Sequence, residues 1–205
     1  MSPDLERELW LERRMRYVTA SDVGALLGEN KHKTRDALML EKRGLVKGFQ
    51  GNEYTELASE FEEPLFKVAR RRYGWALFAN GMGLHVDSLC PRLAATPDAL
   101  MVTPWGLAVV QTKWSTCQAQ KDIKPVTKSG KPSEAVYLNG PPLGYQLQVQ
   151  AEMACTNAAG GVLLVMHTCP PKGLTLVPYY IPRHDGAISR IRREVSLFWN
   201  EIEGL

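Results

Sequence analysis

The chain has 205 residues, 44% of them hydrophobic and 23% charged, which is the balance of an ordinary water-soluble globular protein. That length suits one domain, 1–205, with a core large enough to need no disulfide staples. No apolar run approaches the roughly 20 residues that span a bilayer, and the opening MSPDLERELW is charged where a secretory leader is apolar. The expected location is therefore the cytoplasm, without membrane association.

Four cysteines (Cys90, Cys117, Cys155, Cys169) are scattered without a CxxC pair or paired histidines, so a zinc site is not expected and reduced, mostly buried thiols are. The four histidines are equally dispersed and none is read as catalytic. A net charge of +3 is too small to argue nucleic-acid binding by itself. The basic residues are clustered, however, at Arg13-Arg14-Met15-Arg16, Lys31-His32-Lys33, Arg70-Arg71-Arg72 and Lys121 to Lys131. Such clusters can follow a phosphate backbone or serve as solvated helix faces.

Taken in chain order, Asp4 to Tyr17 reads as an amphipathic helix. Thr19-Ala20-Ser21-Asp22 offers cap chemistry before a short helix stopped by Gly28, and Thr34 caps a second helix that ends at Gly44. Glu53 to Tyr73 carries Leu57, Phe61, Leu65 and Val68 at helical spacing, which predicts one long helix capped by Gly74. Segments 75–79, 83–86, 99–102 and 107–112 are short and β-rich, as the strands of a meander. The Lys-, Ser-, Gly- and Pro-rich stretch 115–142 predicts a long loop over a functional edge. A helix over 145–155, strands over 161–167 and 174–181, and a closing helix over 187–202 complete an α+β fold, a mixed sheet flanked by helices.

The chemistry lies in Thr96-Pro97-Asp98-Ala99-Leu100, followed by Val109-Val110-Gln111-Thr112-Lys113. Residues i and i+2 of a strand share a face, so positions 111 and 113 point together and a hairpin can set Asp98 opposite them. Carboxylates so placed can hold a divalent cation, and the lysine can orient an attacking water and stabilise charge on phosphate. This is the PD-(D/E)xK pattern with one departure: position 111 is Gln, which offers a carbonyl oxygen but no negative charge.

Further blocks occur in order: Trp10-x-x-x-Arg14 with Val18-Thr19-Ala20-Ser21-Asp22-Val23, Phe61-Glu62 on the long helix, and Tyr145-x-x-Gln148-Val149-Gln150. Across roughly residues 10–155 the sequence resembles the phage lambda exonuclease, or alkaline exonuclease, family of YqaJ-like viral recombinases. The resemblance implies a restriction-endonuclease-like core using Mg²⁺, with Mn²⁺ as a possible substitute. Asp98, position 111 and the Thr112 carbonyl would be metal ligands, Lys113 the catalytic lysine, and Gln148 a holder of water or lysine. Glu62 would reach a metal through water, with Glu63 as the alternative one register away, and Asp87 would be a further acid near the site.

Arg14, Ser21 and Thr96 would bind a terminal 5′-phosphate and Trp10 would stack on a base. The implied activity is processive 5′→3′ degradation of one strand of linear double-stranded DNA, by a phage- or prophage-encoded homotrimer working with a single-strand annealing recombinase. Gln111 implies impaired catalysis, native to the chain or introduced into it, which Gln111→Glu should relieve by orders of magnitude. Two alternatives stay open: a structure-specific PD-(D/E)xK endonuclease, and a non-catalytic DNA-binding module on the nuclease scaffold.

Overall fold

A computed structural model describes residues 3–49, 51–79, 83–116, 123–126, 134–137, 140–168 and 174–204. Helix α1 (Pro3–Arg14) leads into β1 (Val18–Thr19), a 3-10 turn (Ala20–Asp22) and α2 (Val23–Leu26). Asp22 accepts from both the Thr19 amide and the Thr19 hydroxyl (3.1 and 2.8 Å), which fixes this entry. The hydroxyl of Thr34 accepts from the Ala37 amide at the start of α3 (Arg35–Lys42), as its sequence position predicts.

The long helix expected over 53–73 is two helices, α4 (Glu53–Glu60) and α5 (Glu62–Tyr73), parted at Phe61. Pro64 supplies the reason. It has no N–H for the Glu60 carbonyl, and its ring crowds that same carbonyl. Gly74 closes α5 in the left-handed conformation, φ 68°.

The strands are β2 (Leu77–Ala79), β3 (His85–Val86), β4 (Leu93–Ala95), β5 (Ala99–Thr103), β6 (Gly106–Thr116), β7 (Ile123–Val126) and β8 (Glu134–Tyr137), then β9 (Gly160–Thr168) and β10 (Leu174–Pro182). Helix α6 (Leu143–Thr156) precedes β9, and α7 (Asp185–Glu203) follows β10. The main sheet has the order β10-β9-β6-β5-β2 and is antiparallel except where β6 meets β9. That one parallel pair follows from the α6 crossover, since a helix between two strands returns the chain in the same direction.

The expected meander is therefore only partly formed. β3 leaves it and pairs with β4, which lies parallel to β1 in a separate small sheet. Strands of two or three residues are too short to show a period in sequence. Within the expected loop 115–142, residues 115 and 116 continue β6, β7 pairs with β8, and residues 140–142 lead into α6; 117–122, 127–133 and 138–139 lie outside the described residues. Cys90 and Cys155 are free thiols, and Cys117 and Cys169 also lie outside the described residues. No helix among the described residues is long and apolar enough to cross a membrane.

Helix α5 covers one face of the sheet, with Phe66 and Ala69 against Leu77, Met101, Val110 and Leu164. Helix α6 covers the other, with Val149 and Met153 against Val109, Leu163 and Val165. Gly161 allows that contact, because a Cβ there would strike the Val149 side chain. The far side of α6 (Ala151, Ala154) packs on Val18, Leu93 and the α7 residues Ile188 and Phe198. The middle of α6 is thus wedged between the main sheet and a second core, where water has little access.

Candidate active site

In the β5–β6 hairpin Ala99 pairs with Val110, so one step back along β5 and one forward along β6 bring Asp98 opposite Gln111. Gln111 and Lys113 stand beside Leu163 and Val165, the residues that face α6. The Lys113 ammonium lies 5.5 Å from the ring centre of Tyr145 on that helix. Trp114 points the other way, toward the α5 layer. The i, i+2 expectation for positions 111 and 113 holds.

One oxygen of Asp98, Oδ2, accepts three bonds: from the Thr112 amide (2.6 Å), the Thr112 hydroxyl (2.6 Å) and the Gln111 side-chain amide (2.7 Å). Charge-assisted bonds of this kind hold a carboxylate in one orientation. Gln111 is nearly fully buried, and its Oε1 has no hydrogen-bond partner among the described residues.

Glu62, the first residue of α5, lines the same cleft as Asp98, Gln111, Thr112 and Lys113, a space of about 290 Å³. Burial pushes its carboxyl up to about 7, nearby Asp98 adds to the rise, and Lys113 opposes it. Glu63 instead bonds Arg70 (2.8 Å) on an exposed face of the helix. Of the two candidates, Glu62 lines the cleft and Glu63 does not. Tyr54 and Phe61 also line the cleft, stacked and edge-on against Trp114 at 5.5 and 5.6 Å between ring centres. Tyr54 and Trp114 were not singled out in the sequence, and Phe61 only as the neighbour of Glu62, because α4 and β6 meet only in the folded chain.

Gln148 donates its amide to Glu152 Oε1 (2.9 Å), one turn further along α6. Glu152 is fully buried; burial pushes it up to about 8, Asp98 contributes, and the Gln148 bond and Lys113 pull it back. Sequence reasoning passed over this residue. Its available signal was an acid one turn after Gln148 in a stretch whose neighbours Ala151, Met153 and Ala154 are apolar. Gln150, part of the Tyr145-x-x-Gln148-x-Gln150 block, is a tie between elements: it donates to the Pro182 carbonyl (2.7 Å) and accepts from the His184 amide (2.9 Å).

Arg14 and Ser21 are also brought together. The guanidinium donates to the Ser21 hydroxyl (2.9 Å) and the Thr19 hydroxyl (3.2 Å), and lies 4.2 Å over the Trp10 ring. Beneath them Asp22 is bound by Lys42 (3.0 Å) and Lys33 (3.2 Å), and Lys33 also reaches Glu41 (2.6 Å). Thr96 does not join this group by any bond among the described residues; its hydroxyl is buried without a partner. Asp87 is no part of the cleft. It accepts from the Leu89 and Cys90 amides (2.7 and 3.0 Å) and pairs with Arg192 on α7 (2.9 Å), so its work is to close a turn and pin a helix.

Among the described residues no three His, Cys, Asp or Glu side chains converge as a metal cage. The Gln111 amide nitrogen meets Asp98 Oδ2 (2.7 Å) and the Thr112 carbonyl (3.3 Å), and rotation of that amide would add Gln111 Oε1 to these two oxygens. An all-oxygen set suits a hard cation such as Mg²⁺, and a buried amide oxygen without a partner fits one.

No curated relative matches the chain by sequence. Among solved structures, the alkaline exonuclease LHK-Exo from Laribacter hongkongensis is similar with a TM-score of 0.68 and 20% identity, over 96% of this chain and 93% of that one. Its complex with dAMP is similar at 0.67 and 19%, over 96% and 93%. A phage-related exonuclease from Haemophilus somnus 129PT is similar at 0.63 and 18%, over 92% and 94%. The fold is that of these alkaline exonucleases, a PD-(D/E)xK-like architecture. The pattern of the YqaJ-like viral recombinase domain matches residues 9–159, and the chain belongs to that family.

Proposed function

We propose that the chain is a divalent-metal-dependent exodeoxyribonuclease that degrades one strand of linear duplex DNA 5′→3′, to prepare it for recombination by strand annealing. The observation that carries this reading is the convergence of Asp98, Gln111, Thr112, Lys113 and Glu62 on one cleft. A bound Mg²⁺ or Mn²⁺ would supply Lewis-acid polarisation of the phosphate and a water of lowered pKa. Asp98, Gln111 Oε1 and the Thr112 carbonyl are the groups to hold it, with Glu62 reaching it through water.

Lys113 orients the attacking water and stabilises negative charge developing on the phosphate. Gln148 holds Lys113 or that water from the α6 side. Tyr54 and Phe61 offer faces for stacking the terminal base. Arg14 and Ser21, whose mutual bonds are to hydroxyls and not to a carboxylate, receive the 5′-phosphate. The reading extends to a toroidal homotrimer for processivity and to an annealing recombinase as partner in a phage-infected or lysogenic host cell.

A second reading, a non-catalytic DNA-binding scaffold, draws on Gln111. Its side-chain N–H donates to Asp98 in the position where a cation would offset that carboxylate. Digestion of linear duplexes with 5′-phosphate or 5′-hydroxyl ends, and of covalently closed circles, separates the possibilities. With Mg²⁺ the chain should digest phosphorylated linear ends, spare circles, and gain turnover in the Gln111→Glu form. Lys113→Ala should lower digestion by about 10²–10⁴-fold. Cleaved circles would favour an endonuclease, and silence of both forms would favour the scaffold.

A further inference from the structure

We propose that Glu152 supplies the negative charge that position 111 lacks, acting as the second anionic group that holds a divalent cation beside Asp98. This deepens the nuclease reading and rests on it. A carboxylate fully withdrawn from water costs several kcal/mol unless it is paired. Glu152 is fully buried, has a single side-chain partner, the neutral Gln148 amide, and has an Oε2 with no partner among the described residues.

Nothing in the packing of α6 calls for an acid there. Val149, Ala151, Met153 and Ala154, its neighbours on the helix, fill the two cores with apolar groups. Glu152 follows Gln148 by one turn and Tyr145 by two on one stripe of α6; Tyr145 lines the cleft with Asp98 and Lys113, and Gln148 bonds Glu152 directly. Gln111 Oε1 on β6 is likewise buried and without a partner among the described residues. An acid on α6 and an amide on β6, the latter bonded to Asp98 through its nitrogen, thus each bury one oxygen without a partner among the described residues.

A strand acid at position 111 would put two carboxylates on the β5–β6 hairpin. Here one stays on the hairpin and the other comes from α6. Because no three acids among the described residues converge as a cage, Glu152 acts over a longer path than a strand acid would, through Gln148 or a bridging water. It retains cation affinity more than it aids turnover.

Mn²⁺ binding followed by electron paramagnetic resonance, without DNA, tests this in the chain, in Glu152→Gln, in Gln111→Glu and in the double variant. The chain should bind Mn²⁺, and Glu152→Gln should weaken binding by about 10–100-fold. Adding Gln111→Glu to that variant should restore most of the loss, a rescue that a merely structural glutamate would not permit. Gln111→Glu alone should raise turnover while changing Mn²⁺ affinity by less than about threefold, since the charge is already present.

Unchanged affinity in Glu152→Gln overturns the inference and leaves the nuclease reading standing. Failure of the chain itself to bind Mn²⁺ overturns both. Should Glu152→Gln not fold, the Gln111→Glu arm still decides: a gain of about tenfold or more in affinity would show that the charge was missing.

Discussion

The buried acids Asp22 and Glu152 are treated in opposite ways. Burial alone would raise Asp22, but the ammonium groups of Lys42 and Lys33 and the Thr19 hydroxyl outweigh it and hold the carboxyl well below the usual range. Glu152 has one neutral amide on one oxygen and, among the described residues, no partner on the other, and burial pushes it up. The first acid is part of a finished network, the foundation under Arg14 and Ser21. The second is unfinished. Buried polar groups in a native protein are normally satisfied, so the contrast supports the proposed cation site around Asp98.

Removing each acid should have opposite effects on stability. Asp22→Ala leaves Lys42, whose side chain is 3% exposed, as a buried unpaired cation. Breaking such a pair costs about 3–5 kcal/mol, which chemical denaturation would read directly. Glu152→Gln replaces a strained carboxylate by a neutral isostere and should raise the melting temperature at pH 8. A drop in that variant comparable to the Asp22 loss would dissolve the contrast.

The pH dependence sharpens the same comparison. A lowered folded value means that Asp22 stabilises the fold above the unfolded carboxylate range and that this contribution is lost as pH falls through it. Glu62 and Glu152 are raised to about 7 and about 8, so their contribution is present below the unfolded value near 4.5 and is lost as pH rises through 7 and 8. The melting temperature of the cation-free protein should therefore fall between pH 5 and 9, by about 2–4 °C for each kcal/mol lost. Mn²⁺ should reverse the fall at the alkaline end, and Glu152→Gln should flatten the slope. A melting temperature that rises over this window would contradict the assignment.

The smallest effect is expected at the rim. Tyr54 is about half exposed and stacks on Trp114. Tyr54→Ala should raise KM for duplex ends by about tenfold, the value of one lost stacking contact, with kcat nearly unchanged. A kcat loss with constant KM would move the aromatic group from substrate holding into the chemistry.

Local rules made much of the fold legible in advance. Thr34 and Gly74 announce helix ends because a cap needs only neighbours in sequence, and β5, β6, β9 and β10 announce themselves by β-branched and aromatic runs. Other features were visible yet outweighed: Pro64 breaks the helix at Phe61 although the apolar spacing runs on through it. Strands β1 and β4 carried no period, and their pairing depends on a return of the chain more than seventy residues later. Asp87 looked like a site acid by its place in the sequence, and Arg192, over a hundred residues away, made it a structural one.

Asp98, Gln111 and Lys113 could be read as one constellation from sequence alone, because a hairpin with alternating faces is a local geometry. The family followed from the order of the blocks around them. What only the tertiary structure decided is that Glu62 and not Glu63 lines the cleft of that constellation, and that Glu152, which no strand motif contains, is buried against Gln148. Their placement depends on α5 and α6 packing on opposite faces of one sheet, and on a helix wedged deeply enough to deprive a carboxylate of water.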